Sequence, residues 1–490
     1  MTAAGQCPLY VDCDGTLIAS DLLHEGLARE VVGRPWAWPG LLRAIFAGRP
    51  ALKKRVATRQ PVQPATLPYR PEVLDRLRTA HAEGRTLILA TAGDASYAQA
   101  VADYLGLFSG VLASDGQTNL KGEAKLTAIR AHAQGPFAYA GDARADLPIW
   151  AAAEEAWVVS GDPAVIAAAQ RVAPHATVIP VPARTWRAWL KVIRPHQWAK
   201  NLLLAVPFLL AHKVGDPAAW LALGLAFLAM SMAASAIYIF NDLVDIDRDR
   251  AHRSKHRRPF ASASVNVLAG PVVGVLLMAA ALTLAILALP GPFAAWLGIY
   301  LAVTILYSWG LKHAAVVDVL TLGGLYTLRL IAGAAAVAVP VSQWLLALAV
   351  FLFTSLALCK RYTELAPLLA SHGPDARTRG YRASDLGVLE SAGIGCGLIA
   401  VLVLAQFIYS ADMATRYQAP WALWLICPLL LYWILRVWVQ AARGTMHDDP
   451  VIFALRDRPS LIVAALVAVL VVIAAVDPLP GLTWLMPGHV

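Results

Sequence analysis

The sequence predicts two fold classes in series. The first is an α/β domain with a helical insertion, over residues 1–182. The second is an all-α polytopic membrane domain of about nine spans, over residues 183–490. Three observations carry this. Apolar residues make up 58% of the 490, above the proportion of about half in an ordinary soluble protein. The excess begins near residue 196, where long apolar stretches replace mixed sequence, each able to cross a hydrocarbon core about 30 Å thick. Before that point, short apolar runs alternate with helix-like stretches, and acidic residues follow several of the runs.

Leu9-Tyr10-Val11, Leu87 to Ala90, Phe137 to Ala140 and Trp157 to Val159 read as strands. Residues 72–83, 95–105, 123–133 and 163–170 read as the helices between them. That alternation predicts a parallel sheet with helices on both faces and a ligand site at the carboxyl ends of the strands. Residues 20 to about 68 interrupt it as a mostly helical insertion. There Trp36, Trp38, Leu42, Ile45 and Phe46 precede Lys53, Lys54 and Arg55, a mixture suited to a membrane interface. The first residues lack the basic and apolar regions of a signal peptide.

After a linker near Pro180 to Ala183, apolar segments fall at roughly 198–213, 217–240, 266–288, 291–309, 314–337, 343–359, 388–409, 419–440 and 459–476. Lys and Arg crowd alternate loops, with only Lys213 and Arg416 in the others. By the positive-inside rule the N-terminal domain and the basic loops are cytosolic, in a bacterial-type inner (plasma) membrane. An odd count then puts the C-terminus outside. The net charge of +9 reads as topology and lipid contact, so no nucleic-acid partner is expected. The five cysteines form no CxxC pair and read as reduced, mostly buried residues.

Chemistry-bearing residues sit at the predicted strand ends. Asp12-Cys13-Asp14-Gly15-Thr16 offers two carboxylates beside a tight turn. Thr91 ends the next strand, Lys121 and Lys125 flank a helix start, and Asp142 and Asp146 follow a third strand. A phosphoryl group needs such a set, with a nucleophile, a hydroxyl, a lysine and metal-binding acids. These four motifs, in this order over residues 6–180, resemble the haloacid dehalogenase superfamily of phosphatases. The resemblance implies that Asp12 is the nucleophile, Asp14 the general acid/base and Thr91 the phosphoryl-binding hydroxyl. It implies that Asp12, Asp14 (through its carbonyl) and Asp142 hold Mg²⁺, supported by Asp146. Lys121 and Lys125 both remain candidates for the motif lysine. The insertion becomes a cap, which is expected to touch the bilayer and admit a lipid phosphate.

The membrane half carries Asn241 to Pro259 directly after an apolar segment. Asp242, Asp245, Asp249 and His252 step by three, four and three, which on a helix places them on one face, with Asn241 adjoining Asp245. Carboxylates so close repel unless a cation lies among them, and oxygen ligands favour Mg²⁺ bridging phosphates. Lys255 and Arg258 follow and can meet phosphate charge; Asp247 lies off the face. Lys360 and Arg361, with Arg379 and Arg382, also suit phosphate, and Met446-His447-Asp448-Asp449-Pro450 is polar with no assigned role.

The pattern NDxxDxxxDxxHxxKxxRP resembles the first motif of the UbiA superfamily of intramembrane prenyltransferases, over residues 186–476. Ile193 to Asn201, Tyr307 to Lys312, Asp318 and Tyr326 to Arg329 resemble its polyprenyl-phosphate phosphoribosyltransferase branch. That likeness implies Mg²⁺-dependent transfer of 5-phosphoribose from phosphoribosyl pyrophosphate (PRPP) to a polyprenyl (decaprenyl-type) phosphate. Asp242, Asp245 and Asp249 would hold the metal, with Asp242 and Asp245 catalytic. Lys200, Asn241, His252, Lys255, Arg258, Tyr307, Lys312, Arg329, Lys360 and Arg361 would bind substrate. The first domain would then remove the 5-phosphate of the product. The alternative is transfer of a prenyl group to an aromatic acceptor. Asp318 stands alone where quinone-type enzymes carry a second aspartate-rich motif, which favours the first reading.

Overall fold

Side chains of β1 (Leu9–Val11) and β2 (Leu87–Asp94) alternate between two faces, and both faces are buried. In the computed structural model, residues 7–115, 118–182, 185–252, 254–373, 375–410, 417–446 and 449–476 are described. These strands join β3 (Gly110–Ser114), β4 (Ala138–Gly141), β5 (Glu155–Ser160) and β6 (Thr177–Pro180) in one parallel sheet, ordered β3-β2-β1-β4-β5-β6. Leu9, Val11, Leu87 and Leu89 enter one apolar cluster; Tyr10, Ile88, Ala90 and Tyr139 enter another. The strand period of two thus feeds both faces, as a doubly covered parallel sheet requires. Leu9 pairs with Leu87 on one side and Ala138 on the other, so β1 is central and the carboxyl ends of β1, β2 and β4 adjoin.

The insertion is helical, as α1 (Leu22–Gly33), α2 (Trp38–Phe46) and α3 (Arg49–Arg59). It is followed by α4 (Pro71–Ala82), α5 (Ala95–Leu105), α6 (Glu123–Ala133), α7 (Leu147–Ala152) and α8 (Pro163–Val172). Asp21, Asp94 and Asp162 each accept a backbone N–H in the first turn of α1, α5 and α8, supplying the donors' missing partners. Trp36 and Phe46 are 73% and 88% exposed, with Leu42 and Ile45 beside them in sequence also exposed. The basic cluster after them divides. Lys53 turns inward to the Ala92 carbonyl and Asn119 Oδ1, and Arg55 to Glu30, leaving Lys54 outside.

Further helices are α9 (Trp186–Ile193), α10 (Ala205–Leu210), α11 (Pro217–Val244), α12 (Ile246–Ala251), α13 (Ala269–Ala288), α14 (Gly291–Trp309), α15 (Val317–Ala336), α16 (Gln343–His372) and α17 (Leu386–Tyr409). Trp421–Trp424, Ile426–Ala442, Pro450–Ala454 and Arg458–Val476 close the described chain. Eight helices among the described residues are long and apolar enough to cross a membrane. The segment expected at 198–213 is not among them. Pro195–Leu204 is a 3-10 run, α10 has six residues, and His212 adopts a left-handed conformation. Asn201 in the 3-10 run is tied to Ser231 and Arg329. The odd count behind the outward C-terminus therefore does not come from these eight helices.

The described residues up to Arg194, together with Ser235–Leu277, form one compact unit; Pro195–Ala234 and the described residues from Met278 onward form the second. In the second, small residues let helices approach closely. A Cβ at Gly333 would fall on the Leu204 backbone, and one at Gly323 would meet Thr354.

Candidate functional site

In the first unit, the ends of β1, β2 and β4 bring Asp12, Thr91 and Asp142 to one cavity of about 440 Å³. Gly15 at φ +81° makes the turn after β1; a Cβ there would overlap the Asp142 carboxylate. Asp14 Oδ1 accepts the Leu22 N–H at 3.0 Å, and Thr91 Oγ1 accepts that of Gly93 at 3.0 Å. Lys125, not Lys121, reaches the nucleophile position. Its Nζ, buried, donates to Asp12 Oδ2 at 2.7 Å and lies 3.0 Å from Tyr139 Oη; Lys121 lines the cavity. Tyr139 in turn donates to Asp146 at 2.9 Å. This tyrosine was read in the sequence only as part of an apolar strand.

Oxygens of Asp12, Asp142 and Asp146 lie within 4.8 Å of one another. Burial, with Asp12 and Asp146 adding their charge, pushes the Asp142 carboxyl up to about 7. Burial and the neighbouring Asp21 and Asp12 raise Asp14 well above the carboxylate range, while the Leu22 N–H works against them. Burial alone would lower Lys125, but Asp12 and Asp146 outweigh it and hold the ammonium charged. Three crowded carboxylates answered by one lysine fit a divalent cation with oxygen ligands.

The acidic motif also lies in the first unit. Helical hydrogen bonds continue from Asn241 to Asp245 and from Asp245 to Asp249, but α11 ends at Val244 and α12 begins after Asp245. Asp242 and Asp249 converge, since Arg258 Nη1 donates to Asp242 at 3.1 Å and to Asp249 at 2.7 Å. Arg194 donates to both oxygens of Asp242 at 2.6 and 2.5 Å. Arg258 Nη1 thus stands where a cation shared by two carboxylates would stand, and the pair fits Mg²⁺ in its donor set. Asp245 is turned to Arg248 at 3.4 Å instead. His252 does not continue the face: it is the extended C-cap of α12, exposed, with Ser254 against its ring. Lys255 begins a 3-10 turn. The end of the helix at Ala251 takes His252 off the face that sequence periodicity assumed, while Asp242 and Asp249 stay on one side.

In the second unit, Lys200 and Lys360 both donate to Asp449, at 2.8 and 2.9 Å, and Tyr326 Oη lies 3.2 Å from the same carboxylate. Burial lowers the Lys200 ammonium to about 8 against the opposing pull of Asp449. Burial would raise Asp449, but Lys360 and Lys200 hold it far below the usual range. His447, Asp448 and Arg416 lie outside the described residues. Arg329 and Arg361, expected at substrate, are otherwise engaged. Arg329 donates to Asn201, the Leu325 carbonyl and Tyr300 Oη at 2.7–3.0 Å. Arg361, fully buried, pairs with Asp318, Glu364 and Tyr307. Tyr307 donates to Asp318 at 2.8 Å and accepts from Arg379 at 3.0 Å. Each guanidinium nitrogen of the two arginines has a partner within the protein. Lys312 lies half-buried in the 3-10 turn Leu311–His313.

Comparison with known proteins adds independent findings. A family model of the UbiA prenyltransferase family matches residues 201–456, and one of haloacid dehalogenase-like hydrolase matches residues 10–150. The chain is 38% identical to an uncharacterized protein, y4nM, of Sinorhizobium fredii, over 94% of this chain and 90% of that protein. It is 36% identical to the nodulation protein NoeC of Azorhizobium caulinodans, over 56% and 89% of the two chains. It is 32% identical to the decaprenyl-phosphate phosphoribosyltransferase of Mycobacterium tuberculosis, over 56% and 90%. With residues 201–456, just over half of the chain, matched by that family model and a haloacid dehalogenase-like domain ahead of them, the chain belongs to the UbiA prenyltransferase family.

Proposed function

We propose that the chain transfers 5-phosphoribose from PRPP to a polyprenyl phosphate, and that its first domain then removes the 5-phosphate of the product. One observation carries the reading: Asp242 and Asp249 converge on a single cationic nitrogen, a geometry made for a metal-bound diphosphate. The likeness to a decaprenyl-phosphate phosphoribosyltransferase supports the donor and acceptor.

Mg²⁺ held by Asp242 and Asp249, with Asp245 from the adjoining turn, would offset charge on the departing diphosphate. Arg194 and Arg258, which hold those carboxylates now, shift onto phosphate oxygens when the donor binds. The C1–O bond to diphosphate breaks with its electron pair, and an oxygen of the lipid phosphate forms the new bond at C1. The acceptor is already an anion, so no strong base is needed. Lys200, Lys360 and Lys312 supply positive charge for phosphate binding.

In the first domain, Asp12 attacks the 5-phosphate, Thr91 and Lys125 hold its oxygens, and Asp14 gives a proton to the leaving ribose oxygen. Water then cleaves the aspartyl phosphate. Asp12, Asp142 and the Asp14 carbonyl would hold Mg²⁺ there, with Asp146 supporting. Joining the two activities raises the local concentration of the second site for the first product. We further place both sites on the cytosolic side of a bacterial-type plasma membrane, from the basic loops.

The test is incubation of detergent-purified protein with Mg²⁺, polyprenyl phosphate and radiolabelled PRPP, with lipids separated by thin-layer chromatography. A labelled lipid that vanishes with Asp242→Asn supports the transferase reading. A shift in its mobility with Asp12→Asn supports the phosphatase. No labelled lipid from PRPP, while a parallel incubation with a radiolabelled prenyl diphosphate and an aromatic acid yields a labelled aromatic product, overturns it.

A further inference from the structure

Asp247 stands off the acidic face of the motif, and its carboxylate receives both terminal nitrogens of Arg29 at 2.5 and 2.8 Å. Three residues on, Arg250 gives both of its terminal nitrogens to Glu25 at 3.0 and 2.5 Å, and its Nε to the Ala261 carbonyl at 2.9 Å. Arg29 also meets Glu25 at 3.2 Å along α1. Four side chains therefore alternate in sign between the cap helix and the motif segment. Glu25 and the Arg250 side chain are almost dry, at 3% and 4% exposure. Alongside them Ala28 and Val32 pack with Leu243, Ile246 and Phe260. An exposed ion pair fixes little, but a buried, bidentate one resists opening because either partner left alone is an unpaired charge.

The other face of α1 lines the phosphatase cavity through Leu23, His24 and Leu27. Its first residue, Leu22, donates the backbone N–H that Asp14 accepts. Both sets of contacts lie on the twelve residues of α1, so a shift of the helix on one face moves the groups on the other. We propose that Asp247 and Arg250 are positioning residues of the phosphatase: through Arg29 and Glu25 they hold α1, and α1 holds Asp14 where the leaving oxygen needs its proton. The inference rests on the phosphatase reading of the first domain. It gives Asp247, which lies apart from the converging Asp242 and Asp249, a task in the second reaction. It also makes the motif segment a structural part of the phosphatase.

The test uses the full chain in detergent with Mg²⁺ and two soluble probes. p-Nitrophenyl phosphate releases a phenolate that needs no proton; ribose 5-phosphate releases an alkoxide that does. Asp247→Asn and Arg250→Met are expected to lower kcat for ribose 5-phosphate at least about ten-fold, and for p-nitrophenyl phosphate no more than about two-fold. Arg250→Lys, which keeps a charge for Glu25, recovers much of the loss. Equal losses on both probes, or no loss while Asp12→Asn is dead, overturn the positioning role. Identical behaviour of wild type and Asp12→Asn overturns the phosphatase reading itself, and the inference with it.

Discussion

Lys125 donates to Asp12 across 113 positions of the chain, at 2.7 Å and out of contact with bulk water. The pair answers the choice the sequence left between two lysines four residues apart. It also shows how the site is held before substrate arrives: one ammonium balances carboxylates that would otherwise repel.

Lys125→Met should therefore cost twice. The cluster loses the ammonium that pairs with Asp12 and Asp146, so folding stability falls by about 3–5 kcal/mol, the usual effect of removing one partner of a buried pair. Phosphatase turnover falls by roughly 10²-fold or more, as when any preorganised electrostatic donor is deleted. Lys121→Met should leave stability unchanged. Thermal unfolding and phosphate release on both variants check this, and equal effects would return the assignment to Lys121.

Asp142 gives the metal-free protein a distinctive pH response. Its carboxyl is raised to about 7, chiefly by burial. The folded state thus binds a proton that the unfolded chain gives up near 4, and this contribution to stability is complete below 4 and lost as pH rises towards 7. Mg²⁺ competes with that proton. Its stabilising effect should accordingly grow between pH 6 and 8 and then level off. Differential scanning with and without Mg²⁺ measures it, and Asp142→Asn should flatten the difference.

What was legible in the sequence follows from locality. β1, β2, β4 and β5 announced themselves as apolar runs, and the first three carried Asp12, Thr91 and Asp142 to the cavity end. Gly110–Ser114 and Thr177–Pro180 did not. They lie at the two edges of the sheet, where one flank has no strand partner and the apolar signal is weak. The acidic face was read from an unbroken helix. The helix ends at Ala251, one residue short of His252, and spacing could not reveal that end. Nor could it reveal that Asp247 answers Arg29, 218 residues away. Asp449 had no periodic neighbour at all; only folding brings it to Lys200 and Lys360.

Gly333→Ala probes the close packing of the second unit. The added methyl would fall on the Leu204 backbone, which has no rotamer to yield. Overpacking of this kind costs about 1–3 kcal/mol. The expected result is a lower unfolding temperature in detergent, with Gly324→Ala, which meets nothing nearby, as the unchanged control.

Asp449 offers a sharper test, because the same change should be harmful alone and nearly harmless in company. Asp449→Asn removes the carboxylate that the buried Lys200 and its neighbour Lys360 share. Two like charges then share one site, and stability should fall by roughly 3–5 kcal/mol. Lys200→Met in the same chain removes the deeper ammonium, and with it the greater part of the penalty. A double-mutant cycle on unfolding free energy should therefore show strong coupling between positions 200 and 449. Phosphoribosyl transfer should not return in the double variant, since a cation meant for substrate phosphate is gone. Recovery of stability without recovery of transfer would separate the two roles of Lys200. Recovery of both would reduce it to a structural partner of Asp449.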